Sequence, residues 1–144
     1  MGMITIGQNQ YEVKEQEMLQ QEILFWVENP RVYSVLREDG NENPSQAEIE
    51  ALMRKTENVK ELRIQIEQNG GLIEPLTVVL RGNDYIAVEG NSRLAAYRIL
   101  AETNPKKWAK LPVNILPETI TDTELFIYVG TIHLVKKKDW SVFE

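Results

Sequence analysis

Between residues 58 and 104 the apolar residues change period twice, and no other feature constrains the fold of this chain as strongly. Val59, Leu62 and Ile66 recur at helical spacing behind Asn58, which reads as their cap; the helix stops at Gly70 and Gly71, where left-handed backbone is tolerated. Beyond Pro75 the pattern is that of a hairpin. Leu76 to Leu80 is a compact β-branched run, Arg81-Gly82-Asn83-Asp84 is a turn, and Tyr85 to Val88 is the returning strand. Helical spacing resumes after Gly90-Asn91 with Leu94, Ala95, Tyr97, Ile99 and Leu100, and fades at Asn104-Pro105. Helix, hairpin and helix in immediate succession predict an α+β domain, a small mixed sheet with helices packed on it.

The flanking segments extend this pattern. Ser45 followed by Glu48 is a capping box, so a helix carrying Ile49, Leu52 and Met53 begins there; Thr121 with Glu124 is a second, opening a helix through Leu125, Phe126, Tyr128, Val129 and Ile132 towards Leu134. Leu111 to Leu116 reads as a strand, and Pro112 and Pro117 put it where a missing N–H is tolerated. Ile23 to Val27 reads as another, followed by a turn at Asn29-Pro30. Arg37 to Pro44 is too polar to bury and predicts a mobile surface loop. Residues 1 to 17 are polar and weakly patterned and are expected to be a flexible segment with little structure, with Met1-Gly2-Met3 reading as a cloning junction. The domain proper is expected over residues 18 to 144. Its last run, Asp139 to Glu144, carries Trp140 and Phe143 with nothing obvious to cover them. Two readings stand: the chain stops short of a following DNA-binding or dimerisation region, or the two aromatics fold back as a terminal lid.

The 144 residues suffice for one domain with one core, and no apolar run is long enough to cross a bilayer. No signal-peptide layout opens the chain, so it is expected to be soluble and cytoplasmic, without a membrane partner. It has no cysteine, which removes disulfides, thiolate metal sites and cysteine nucleophiles from consideration. The net charge of −6 argues against a strong, non-specific nucleic-acid binder. Charge is unevenly spread: residues 1 to 75 hold 14 acidic and 7 basic groups, residues 76 to 144 hold 8 and 9. An anion is better received by the second half, where Arg93, Arg98, Lys106, Lys107 and the Lys136-Lys137-Lys138 run lie. The three consecutive lysines read equally well as solvated surface and as phosphate contacts.

The residues at the start of the Gly90 helix carry the chemistry. A strand, then Glu89-Gly90-Asn91, then a helix from Ser92 is a recurrent anion site. The first helical N–H groups lack intrahelical acceptors, the helix dipole adds positive charge, and Gly90 admits a phosphate close to the backbone. Asn91 or Ser92 would cap the helix, and Arg93 offers a planar fork for two phosphate oxygens. By itself the pattern is also ordinary helix punctuation. Glu89 could accept from a sugar hydroxyl, hold a magnesium-bound water or act as a catalytic base; it could equally be a strand-end carboxylate that orients Arg93. Arg98 reads as a surface arginine or a further phosphate contact. His133 is the only histidine, which excludes a multi-histidine metal site and favours a packing role; Trp108 and Trp140 read as packing residues.

Two segments in order, Gly71-Leu72-Ile73-Glu74-Pro75 and Glu89-Gly90-Asn91-Ser92-Arg93-Leu94-Ala95-Ala96, resemble the paired motifs of the ParB/sulfiredoxin superfamily. There a helix ending in glycine leads through Gly-x-x-x-Pro into a strand, and Gly-x-x-Arg-x-x-Ala opens the next helix. The resemblance runs from about Ser45 to Leu116. It implies a ParB-like domain that binds a nucleotide, CTP favoured or another NTP with Mg²⁺, through Gly71, Pro75, Glu89, Gly90, Asn91, Ser92 and Arg93. No metal is expected from the protein alone. It further implies a bacterial or phage DNA-associated protein, at the nucleoid or a plasmid, whose DNA contacts lie outside this chain and which forms a nucleotide-dependent homodimer.

The chain departs from that family in three places. Two arginines usual in ParB proteins are replaced by Ser92 and Ala95, and Arg98 with Lys136 to Lys138 are the residues that could restore the charge. Where ParB chains carry a Glu-Asn pair serving hydrolysis, this sequence has Ile132-His133-Leu134, which leaves a weak CTPase activity open. Sulfiredoxin's cysteine chemistry has no residue to perform it. Three functions follow: a nucleotide-operated switch, a Mg²⁺-dependent kinase or nuclease with Glu89 as catalytic carboxylate, or a degenerate interaction module without ligand.

Overall fold

A computed structural model describes residues 2–27, 44–72 and 74–139, with side chains as far as 132. Among these residues six strands form one mixed sheet and four helices cover it. The strands are β1 (Gly2–Ile6), β2 (Asn9–Leu19), β3 (Ile23–Phe25), β4 (Leu76–Arg81), β5 (Asp84–Glu89) and β6 (Lys110–Leu116). The helices are α1 (Gln46–Arg54), α2 (Glu57–Asn69), α3 (Asn91–Thr103) and α4 (Asp122–Asp139). The spatial order is β1-β2-β6-β4-β5-β3, with β4–β6 and β3–β5 parallel and the other neighbours antiparallel. This is the α+β architecture read from the sequence.

Local signals hold where they are local. Ser45 and Glu48 form the capping box of α1, and Thr121 and Glu124 that of α4. Helix α2 ends at Gly70 in left-handed conformation, φ 85°. Its start differs from expectation: Thr56, not Asn58, is the cap, its hydroxyl accepting from Val59 N at 3.2 Å. Thr56 stands immediately ahead of the helix, as a cap must, whereas Asn58 already lies in the first turn and points its amide at Ser92.

Residues 1 to 17 are corrected most. Gly2–Ile6 and Asn9–Leu19 form an antiparallel hairpin, and β2 continues into the sheet by pairing Lys14 with Ile115 through Leu19 with Lys110. Lys14 to Glu17 are exposed. Their backbone ladder to β6 needs no apolar side chain, so the strand leaves little pattern to read. Strand β6, expected where pairing is incomplete, is internal between β2 and β4. Pro112 is tolerated because β4 pairs only from Val113 onward. The predicted loop from Arg37 lies outside the described residues except for Pro44, as do the Asn29-Pro30 turn and the terminal aromatics.

Helices α1, α2 and α3 cover one face of the sheet. Ile49, Met53, Val59, Ile66, Leu94 and Leu100 close over Leu76, Val78, Ala87, Leu111 and Val113, and Trp108 meets Tyr97 edge-on at 5.3 Å. The other face is covered by α4 and the hairpin, with Leu125, Val129, Ile6 and Val13 on Val79, Val88 and Leu116. Arg81 clamps the approach to α4, donating to the Glu118 and Ile120 carbonyls and to Asp122.

Candidate functional site

Strand β5 runs into α3 through Gly90, which sits at φ 102°, ψ 21°. A side chain there is excluded twice over: the backbone is left-handed, and a Cβ would stand 2.6 Å from Leu76 Cγ and 3.1 Å from the Arg93 guanidinium. Gly90 is also the N-cap of α3, so the cap residue itself offers no side-chain acceptor. The sequence expectation that Asn91 or Ser92 caps it is therefore corrected. Like those of any helix, the first-turn N–H groups of α3 have no intrahelical acceptor.

Asn91 and Ser92 are both buried. Asn91 accepts from Trp26 N at 3.1 Å and donates to Ala87 O at 2.9 Å, stapling the start of α3 to the end of β3 and to β5. Ser92 Oγ accepts from Asn58 at 3.3 Å, tying α3 to α2. These side chains position the turn. Only their backbone is turned to the role an anion site requires.

Arg93 joins the two motif segments. Its guanidinium donates to Glu74 O at 2.9 Å, to Pro75 O at 3.4 Å and to Glu89 at 2.5 Å, and its side chain is 13% exposed. The fork read from the sequence as a phosphate clamp is thus a strut between the Gly71–Pro75 turn and the Gly90 turn. Gly71 lies beside Tyr97: a Cβ built on it would stand 3.9 Å from the Tyr97 hydroxyl. Burial pushes the Tyr97 pKa up, so the phenol keeps its proton.

Arg98 is not at this site. It donates to Gln20, to Glu50 at 2.8 Å and to the Ile23 carbonyl, and it stacks over the Phe25 ring with its carbon 4.9 Å from the centroid. With all three nitrogens engaged it is a packing arginine between α3, α1 and β3, which corrects both of its sequence readings. Lys136, Lys137 and Lys138 lie in the last part of α4, and their side chains, like that of His133, are outside the described residues. Lys107 stands over Trp108, its nitrogen 5.0 Å from the ring centroid.

Glu89 owes its orientation to a register shift. The β4–β5 ladder passes from Val78↔Ala87 to Thr77↔Glu89 and skips Val88. The extra residue re-aims the strand end. Thr77 pairs in turn with Asn114 of β6, so three polar residues cross adjacent strands at the level of the Gly90 turn. Among the described residues, Asn114 Oδ1 is buried without a hydrogen-bond partner. Tyr128 of α4 packs against the cluster on this face; burial raises its pKa, and the Glu89 charge adds to the shift. Sequence reading missed Thr77, Asn114 and Tyr128. Thr77 was legible as the one polar residue in Leu76–Leu80, but the register that aligns it with Glu89 and Asn114 is not a local property.

The N-terminus of α4 is held by Glu124. Its carboxylate accepts from Asn9 at 2.8 Å, from Tyr11 at 2.5 Å and from Thr121, and these bonds, that from Asn9 first, lower its pKa to about 2. Two cavities open away from the Gly90 turn. One of about 300 Å³ lies between Trp26, Arg81, Asp122 and Leu125, and one of about 560 Å³ lies beside Tyr11, Tyr85 and Glu118. No helix among the described residues is long and apolar enough to cross a membrane.

No protein-family model matches the sequence, and no curated protein matches it. Solved structures do match by shape. The chromosome-partitioning protein ParB from Caulobacter crescentus, C-terminally truncated and complexed with CTP-γ-S, superposes on 90% of this chain with a TM-score of 0.53 at 14% identity. This chain covers 56% of that structure. Sulfiredoxin from Arabidopsis thaliana matches over 71% of this chain and 83% of its own, with a TM-score of 0.43 and 20% identity. The six-stranded mixed sheet and its helices thus form an α+β fold like that of the ParB structure.

Proposed function

We propose that this domain binds a nucleotide, CTP favoured, with its phosphates at the N-terminus of α3 and its base and sugar towards the Gly71–Pro75 turn, as a switch in a DNA-associated protein. One observation carries the reading. Gly90 is held where no other residue fits, at the start of a 13-residue helix whose cap residue has no side chain. Such an arrangement leaves several N–H groups and a helix dipole for an anion. The fold likeness to a ParB solved with CTP-γ-S supports the choice of nucleotide. DNA contacts belong, on this reading, to a region outside the chain, consistent with the net charge of −6. Nucleotide-dependent pairing of two copies remains part of the proposal.

The donor set fits a phosphate chain only in part. Backbone N–H groups and the edge of Arg93 are present, and Mg²⁺ accompanying the nucleotide would offset phosphate charge beside Glu89. Glu89 is itself tied to Arg93, which weighs against its being the base of a kinase or nuclease.

A second reading, an interaction module without ligand, is favoured by Arg93 being committed to three internal acceptors. Thermal unfolding with Mg²⁺ and each of CTP, ATP, GTP and UTP separates the two. A nucleotide at about 100 times its Kd adds roughly 2.7 kcal/mol, an increase readily measured for one domain. A rise with one nucleotide supports the switch and names its base; identical curves with all four support the empty module.

A further inference from the structure

The two outer strands of the sheet are finished differently. At β3 the outward backbone groups are taken: Gln46, the first residue of α1, accepts from Phe25 N at 2.7 Å and donates to Phe25 O at 2.9 Å, and Arg98 donates to Ile23 O. A side-chain amide bonded to both groups of one residue stands in for a neighbouring strand, so this edge is closed. At the other end, β1 is bonded only to β2 among the described strands. Its sequence, Gly-Met-Ile-Thr-Ile, holds no charge and no proline, and its register with β2 runs without a bulge. The usual guards of an exposed edge are missing there.

The register fixes which groups of β1 face outward. Ile6 and Asn9 close a two-residue turn as a hydrogen-bonded pair, and such pairs alternate along an antiparallel ladder. Ile6, Ile4 and Gly2 therefore direct N–H and C=O to β2, whereas Met3 and Thr5 direct theirs to the open edge. Side chains alternate as well: Ile4 and Ile6 pack into the cluster beneath α4, and Met3 is 61% exposed on the other face.

A two-fold axis at Ile4 makes this edge complementary to itself. Set antiparallel against a second copy, Met3 of each chain meets Thr5 of the other, and each such pair exchanges both of its bonds, which satisfies the outward groups together. Met3 and Thr5 supply all of these bonds, so Gly2 is dispensable. Ile4 stands opposite Ile4 of the second copy and continues the cluster of Ile6 and Val13 across the junction. No charge is set against another along the strand, which suits copies that each carry −6.

We propose that the open edge of β1 is a docking surface for a second copy of this chain, joining two sheets into one through antiparallel β1 strands. The pairing needs no nucleotide, and it stands or falls separately from the nucleotide reading above.

Sedimentation equilibrium without nucleotide should show the mass of wild type rising with concentration towards twice that of the monomer; so short an interface associates weakly. Thr5→Pro removes an outward N–H without touching the ladder to β2, and it should stay monomeric with the circular dichroism of wild type. Met3→Pro makes the same cut nearer the start of the strand. The chain has no cysteine, so a single introduced thiol reports the register. Opposed residues of a non-hydrogen-bonded pair lie about 4.5 Å apart at Cα, within disulfide reach. Ile4→Cys should thus yield a linked dimer under oxidised glutathione, and adding Thr5→Pro should abolish it. Linking that depends on Thr5 supports the pairing at whatever strength sedimentation reads. A monomer at every concentration with no linked Ile4→Cys product overturns it. So does a dimer that survives both prolines, which uses another surface such as the exposed Phe126 and Ile127 of α4. A monomer whose Met3 and Thr5 amides resist hydrogen exchange has the edge covered by another part of its own chain, and that also overturns the proposal.

Discussion

On one face of the sheet three helices close over Leu76, Val78, Ala87, Leu111 and Val113; on the other a single helix lies beside a hairpin, over Val79 and Val88 and a row of polar residues. The first face uses Arg98 as cement: Glu50, Gln20 and Ile23 take every nitrogen. The second leaves Asn114 Oδ1 without a partner among the described residues, and it leaves Phe126 and Ile127 of α4 exposed at 44% and 51%. Helix α4 has apolar residues on all sides, a pattern suited to a helix with contacts on more than one side. The contrast is between a closely packed apolar face and a face that carries buried polar groups, with the Gly90 turn at their junction.

Truncating the first face should be the most costly change. Leu94 is fully buried in the three-helix cluster, and Leu94→Ala is expected to lower unfolding free energy by about 3–5 kcal/mol in denaturant titration, whereas Leu125→Ala under α4 should cost about 2–3 kcal/mol. Equal losses would show that the faces contribute alike. Gly90→Ala comes next. Left-handed strain and the 2.6 Å approach to Leu76 should together cost about 3 kcal/mol, and any nucleotide-induced rise in melting temperature should disappear with it.

The two arginines sharpen the comparison further. Arg98→Ala should cost about 2 kcal/mol through the acceptors it abandons, without altering the response to any nucleotide, since every partner lies on the first face. Arg93→Ala, by contrast, should affect both stability and nucleotide response. A nucleotide response lost in Arg98→Ala would place it in the site after all.

The smallest effect concerns the Glu124 latch. Its folded pKa of about 2 is below the usual 4.5, so its contribution is present in full above the unfolded value and is lost as pH falls from there through the folded one. Glu124→Gln should accordingly flatten the acid limb of melting temperature against pH between about 4.5 and 2 while changing little at neutral pH. An unchanged acid limb would mean the latch does not hold α4 to the hairpin.

Much of this was readable from local sequence. The two capping boxes, the Gly70 stop, the hairpin around Gly82 and the Gly90 turn each depend on residues within four positions of one another. Hydrogen bonds that close over so short a span are encoded by the residues that make them. The order of Gly71–Pro75 and Gly90–Arg93 was legible in the same way, and it pointed to the fold that the solved structures share.

What the sequence could not reveal depends on partners far along the chain. β2 is a strand because β6, about a hundred residues away, offers it a backbone ladder, which leaves no mark on Lys14 to Glu17. Arg93 and Arg98 are one turn and a half apart on one helix with the same chemistry, yet one braces two turns at the candidate site and the other cements the opposite end of the core. The bulge that sets Glu89 beside Thr77 is likewise decided between strands. The sequence by itself determined where helices start, where glycine must turn the chain and which family of folds results, because these are short-range steric and hydrogen-bonding choices. Only the tertiary structure decided which donor meets which acceptor, because a guanidinium or carboxylate takes whatever partner the packing of distant segments brings within about 3 Å.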